Sequence, residues 1–201
     1  MVNLRGSVMI LLFRALFVAG FVAVAVIPAS AADIGRVEWG DLVVDSDSSN
    51  GFQEIKSSSS DDGLTLSITF SALEAKADGG TSEAKSTVAG HFDVTQPKRD
   101  TFNMAKLNIE GHIIKSSGSI AKLVFKIGGG EQVIEWAEGT VASEKFNRSI
   151  SFAMPAGGNL PNPFPVSFEA VASKIGYTDA AYVSVSAVTI TAVPDPRVAA
   201  N

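Results

Sequence analysis

The run Leu64-Thr65-Leu66-Ser67-Ile68-Thr69-Phe70 alternates apolar and polar residues without a break. Successive side chains of an extended chain point to opposite sides, so Leu64, Leu66, Ile68 and Phe70 share one face and Thr65, Ser67 and Thr69 the other. A helix, with its period of about 3.6 residues, would scatter the same apolar residues around its axis. The run is therefore a strand with one buried and one wet face. The alternation returns at Ile150, Phe152 and Met154, with serines at 149 and 151, and at Phe164, Val166 and Phe168 with Pro165 and Ser167 between them. Further strands are expected at 36–44, 84–95, 102–115 and 182–193, with a short one at 52–56 inside a loop running from Ser46 to Gly63.

A hairpin is expected over 122–138. Leu123, Phe125 and Ile127 lead into Gly128-Gly129-Gly130, and the chain returns through Val133, Ile134 and Trp136. Glycine supplies the positive φ that a tight reversal needs. In the last strand the inward phase moves from Val183 and Val185 to Val188 and Ile190, which predicts a β-bulge near Ala187. The segment 71–76 has helical propensity yet continues an alternating strand, so it reads as a strand end or one helical turn. Eight or nine short antiparallel strands, separated by Gly, Ser, Asn and Pro clusters, predict an all-β fold. Its expected form is a two-sheet antiparallel β-sandwich of jelly-roll or immunoglobulin-like type.

The N-terminus reads as a cleaved export signal over residues 1–31. Arg5 and Arg14 precede the apolar run from Ala15 to Ile27, and Pro28-Ala29-Ser30-Ala31 supplies the A-x-A pattern of a signal-peptidase site. That run is shorter than the roughly 20 residues of a spanning helix, so no stable membrane insertion is expected after cleavage. The expected product is secreted or periplasmic. It comprises a single domain at 32–193 and a flexible tail at 194–201, where Pro194 and Pro196 end the last strand. There is no cysteine, which excludes disulfides and a lipobox, so the fold must be held by its core. Removing Arg5 and Arg14 makes the formal charge two units more negative than the −5 of the full chain. Such an acidic surface excludes nucleic acid as an electrostatic partner, because that binding depends on Lys and Arg neutralising phosphates.

Four constellations are candidates for chemistry. The two histidines, His91 and His112, lie in the outward phase of consecutive strands, with Asp93 and Glu110 beside them. If those strands pair as a hairpin through Gln96-Pro97-Lys98-Arg99-Asp100, the four residues fall within cross-strand reach, and Zn²⁺ or Cu²⁺ is the expected ligand. The same residues equally describe a solvated strand face. Asp45, Asp47, Asp61 and Asp62, at either end of the serine-rich loop, are a candidate Ca²⁺ set. They resemble the first half of an EF-hand loop only, since its sixth and twelfth positions here hold Asn50 and Lys56.

The third constellation is aromatic. Trp39, Trp136, Tyr177 and Tyr182 are candidates for stacking on a sugar ring, whose apolar face suits a flat side chain with polar groups at its edge. Trp39 and Trp136 share the phase of core residues, which leaves Tyr177, in the loop Gly176-Tyr177-Thr178-Asp179, as the exposed one. The fourth, the acids Glu131, Glu135 and Glu138, has no second element that sets the carboxylate separation a glycosidase requires. A serine hydrolase is disfavoured by the lack of a G-x-S-x-G elbow. The chain is thus expected to be a non-catalytic binding or extracellular structural protein. Its alternatives are a glycan-binding module, and a metal-binding protein or metal-dependent enzyme using His91 and His112. The expected partners are an extracellular glycan or another surface protein, and an edge strand such as 36–44 leaves self-assembly with another chain open.

Overall fold

A computed structural model of the chain describes residues 37–48, 54–96, 102–153 and 159–194. The export signal expected at 1–31 and the tail beyond Pro194 lie outside the described residues. Those residues hold ten strands: β1 (Glu38–Asp47), β2 (Ile55–Ser59), β3 (Thr65–Ala77), β4 (Glu83–Thr95), β5 (Phe102–Lys115), β6 (Ser119–Ile127), β7 (Gly130–Trp136), β8 (Ala142–Ala153), β9 (Phe164–Lys174) and β10 (Ala181–Pro194). They form two five-stranded antiparallel sheets, ordered β1-β4-β9-β6-β7 and β2-β3-β10-β5-β8. The expected β-sandwich is the observed fold, with one or two more strands than the alternation predicts.

The pairings resolve the two topologies left open by sequence. β3 pairs with β10, β4 with β9, β5 with β8 and β6 with β7. The chain doubles back at the β6–β7 hairpin, and each outgoing strand is joined by a returning one in reverse order. This nested pairing is a jelly roll, with β1 added beside β4 and β2 beside β3. One expectation is corrected: β4 and β5 do not form a hairpin. β4 lies between β1 and β9 in one sheet, and β5 lies between β10 and β8 in the other. The short connection between them suits a step of about 10 Å from sheet to sheet as well as a tight turn, and it contains no glycine to force the turn.

Alternation translates directly into packing. Leu66, Ile68, Phe92, Leu107, Phe125, Phe164, Phe168, Val188 and Ile190 are all fully buried between the sheets. Phe168 meets Phe70 and Phe125 edge-on, with ring centroids 5.2 and 6.2 Å apart, the geometry that aromatic quadrupoles favour. Trp39 packs edge-on against Phe164 and Phe92, and its Nε1 donates to the carbonyl of Gly63 at 2.6 Å. That bond ties β1 of one sheet to the β2–β3 turn of the other. Gly63 has φ +69°, and a Cβ there would lie 1.8 Å from the Val37 carbonyl oxygen, so the position accepts no side chain.

The bulge expected near Ala187 is present, since both ladders of β10 slip between Val185 and Ala187. β3 slips at the same level, and the inward phase passes from Leu66, Ile68 and Phe70 to Leu73, Ala75 and Ala77. Residues 71–76 are strand throughout, without a helical turn, because the β10 ladder supplies hydrogen bonds that outweigh local propensity.

Candidate functional site

The outer face of the β2-β3-β10-β5-β8 sheet carries three of the side chains that sequence singled out, Glu110, His112 and Tyr182. Even-numbered residues before the β10 bulge point outward, so Tyr182 stands between Lys76 of β3 and Ile114 of β5. One step along, Ser184 lies between Glu74 and His112, and His112 faces Lys145 of β8. The Tyr182 hydroxyl donates to Glu74 Oε2 at 2.8 Å, and its ring meets the His112 imidazole edge-to-face at 6.1 Å. Burial, then the hydrogen bond and charge of Glu74, raise the Tyr182 pKa, so the phenol stays protonated and donates. Lys76 pairs with Asp78 at 2.7 Å, and that carboxylate holds the ammonium pKa above its ordinary value. A hollow of about 410 Å³ opens over Lys76, Asp78, Ile114, Ala180, Ala181 and Tyr182.

The opposite outer face carries a second hollow, of about 390 Å³. Its floor is small-residue backbone from Ala89, Gly90 and Ser167, and its walls are Asp45 on one side and Lys126 and Glu131 on the other. A slip between Val44 and Ser46 in the β1 ladder frees Asp45, whose Oδ2 lies 3.0 Å from His91 Nδ1.

The metal candidates are not brought together. His91 and Asp93 sit on β4 and Glu110 and His112 on β5, in the outward phases of different sheets and so on opposite faces. Glu110 accepts from Asn147 Nδ2 at 3.2 Å. The calcium candidates are likewise divided. Asp45 and Asp47 belong to β1, whereas Asp61 and Asp62 form the turn before β3. Asp62 accepts from Ser60 Oγ at 2.5 Å and from the Leu64 amide at 2.9 Å, and these bonds lower its carboxyl pKa. No group of three or more His, Asp or Glu able to hold a metal ion occurs among the described residues.

The four aromatics are also separated. Trp39 packs against the core, Trp136 is tilted on Phe146 at 5.0 Å, and Tyr177 is 83 % exposed with the Lys174 ammonium 5.3 Å from its ring centre. Only Tyr182 of the four lines the hollow over β3, β10 and β5.

Sequence reasoning missed two polar anchors at the end of the sandwich where β5, β7 and β9 end. Lys115 is 2 % exposed. Its ammonium donates to the carbonyls of Ser116 at 3.1 Å, Ala137 at 3.0 Å and Thr140, and to Thr140 Oγ1 at 3.3 Å. Burial lowers its pKa, with the Glu138 charge opposing. The signal was present, since Lys115 continues the inward phase of Ile109, Gly111 and Ile113. Asp179 is the second anchor, accepting from Ser116 Oγ at 2.8 Å and the Gly176 amide at 3.0 Å. A Cβ at Gly118 would lie 2.0 Å from its Oδ2, so that glycine makes room for the carboxylate.

Fold and faces together define a jelly-roll β-sandwich with two elaborated outer faces. No protein-family model matches the chain, and no curated protein matches it in sequence. Among solved structures it is similar to TmCBM61 in complex with β-1,4-galactotriose, at 10% identity and a TM-score of 0.33, covering 71% of this chain and 88% of that one. It is also similar to the CBM36-1 domain of a multidomain xylanase from the hindgut metagenome of Trinervitermes trinervoides, at 11% identity and a TM-score of 0.32, covering 79% and 98%. A third is the mannan-recognising carbohydrate-binding module TmCBM27, at 12% identity and a TM-score of 0.28, covering 78% and 99%. Likenesses of this size carry no functional argument, and the reading of function rests on the chain's own side chains.

Proposed function

We propose that this protein is an exported, non-catalytic binding module that holds a glycan on the outer face of the β2-β3-β10-β5-β8 sheet. One observation carries the reading: Tyr182, half-buried on a central strand, lies within a hollow and is ringed by groups that exchange hydrogen bonds with hydroxyls. The apolar face of a pyranose suits the phenol ring. Glu74 and Asp78 accept from sugar hydroxyls, while Lys76 and His112 flank them as donors. A concave, partly apolar surface with a few fixed polar groups is the usual form of a small-ligand site. The metal alternative has no comparable support, since His91 and His112 face away from each other across the sandwich.

The test is calorimetric titration of the purified protein with a panel of galacto-, xylo- and manno-oligosaccharides. At least one is expected to bind. Tyr182→Ala is expected to weaken that binding at least tenfold, the scale of one stacked aromatic, while Tyr177→Ala leaves it within about twofold. The oligosaccharide should be recovered intact. Binding that survives Tyr182→Ala unchanged, or a panel with no binder, contradicts the proposal.

A further inference from the structure

Among the described residues, both sheets leave part of one edge without a paired strand, on the same side of the sandwich. β2 accompanies β3 only from Leu66 to Phe70, after which the Ser71 amide donates to the Glu54 carbonyl at 3.1 Å. β1 accompanies β4 only from Val88 to Thr95, and the Ser48 amide closes the ladder on the Thr87 carbonyl at 2.9 Å. Among the described residues, no strand lies beside 73–77 of β3 or 83–86 of β4 on that side. In a strand the side-chain face and the direction of the peptide groups alternate together. Outward-phase residues Thr65 and Ser71 aim their peptide groups at β2, and Thr87 does so at β1. The same phase gives the open edge to Glu74 and Lys76 in β3 and to Glu83 and Lys85 in β4. These stretches carry one tripeptide, Glu74-Ala75-Lys76 and Glu83-Ala84-Lys85.

We propose that these two edges join two copies of the chain about a twofold axis that is normal to the sheets and passes beside Ala75 and Ala84. An antiparallel pairing centred on Ala75 sets Glu74 opposite Lys76 of the second copy, and Lys76 opposite its Glu74. Both are hydrogen-bonded pairs, so the open N–H and C=O groups are satisfied together with the charges. The same operation on β4 sets Glu83 opposite Lys85. A shift of the centre by one residue brings Glu74 against Glu74, or Lys76 against Lys76, which fixes the register. Edge strands of monomers are commonly blunted with lone charges, lysine above all. Here the charges are self-complementary in both sheets, as an isologous interface requires. Glu74 already accepts from Tyr182, Lys76 pairs with Asp78 and Lys85 pairs with Glu169. Each of these exposed groups retains a lone pair or proton for the second copy.

The dimer does not require a bound glycan, although Glu74 and Lys76 border both surfaces, and it would place two Tyr182 faces three strand spacings apart, about 14 Å, on one continuous sheet. Sedimentation equilibrium of the purified protein over a wide concentration range tests it. The native chain should dimerise reversibly. An acidic-edge variant, Lys76→Glu/Lys85→Glu, and a basic-edge variant, Glu74→Lys/Glu83→Lys, should each raise the dimer dissociation constant about tenfold or more. An equimolar mixture of the two should recover the dimer, which also shows that both remain folded. A native chain that stays monomeric throughout, a dimer whose affinity ignores both variants, or a mixture that fails to associate while each component keeps native circular dichroism would overturn the proposal.

Discussion

Lys115 and Gly63 show how much of this fold hangs on single positions that composition does not flag. Among the described residues Lys115 has no carboxylate in hydrogen-bond contact, and its ammonium gathers three backbone carbonyls from two loops. Replacing it with Met should orphan those acceptors and cost about 3 kcal/mol near neutral pH, measured by urea unfolding. The pH dependence has a definite sign. Burial lowers the folded-state pKa, so between that value and the unfolded value of about 10.4 the unfolded chain binds more protons than the folded one. Stability conferred by Lys115 is then constant at lower pH and rises with pH through that window, so the gap between native and Lys115→Met chains should widen there. A gap that narrows contradicts the buried-amine account. At Gly63 the constraint is steric. Positive φ and the Val37 carbonyl predict that Gly63→Ala loses at least about 3 kcal/mol, with native circular dichroism lost on mild heating.

Strands were legible to the extent that alternation is a local property. The run 64–70, the strand Phe102–Lys115, the glycine-turned hairpin and the slip at Ala187 all follow from side-chain phase within a few residues. The segment 71–76 was ambiguous because its propensity favours helix while its neighbour β10 enforces strand, and only the tertiary ladder decides that contest. The third and fifth residues of β9 follow the same logic from the other side. Alternation turns Val166 and Phe168 inward, and Phe168 joins Phe70 of one sheet to Phe125 of its own. Phe168→Ala should therefore cost about 3–5 kcal/mol, seen as a lower urea midpoint with little change in slope. A loss below about 1 kcal/mol would mean that the aromatic chain does not bridge the sheets.

At the scale of the whole molecule the sequence was silent on strand order, and the reason is physical. Ala181 pairs with Ala77 and Lys115 at once, and no local pattern encodes a partner so distant along the chain. The hairpin assumed between β4 and β5 failed on this point, and with it went the juxtaposition of His91 with His112. The residues were assigned to the correct outward phase, but phase does not say which sheet. Tyr182 was named from composition alone. Its platform depends on Glu74 and Lys76 from β3 and His112 and Ile114 from β5, elements that only the jelly-roll order places on either side of β10. The central claim, that this face is the binding surface, is tested most directly by backbone amide chemical-shift mapping while an oligosaccharide from the panel is added. The account predicts shifts concentrated at Glu74–Asp78, His112–Ile114 and Tyr182–Ser184. Shifts confined to the other face, around Asp45, His91 and Lys126, would contradict it.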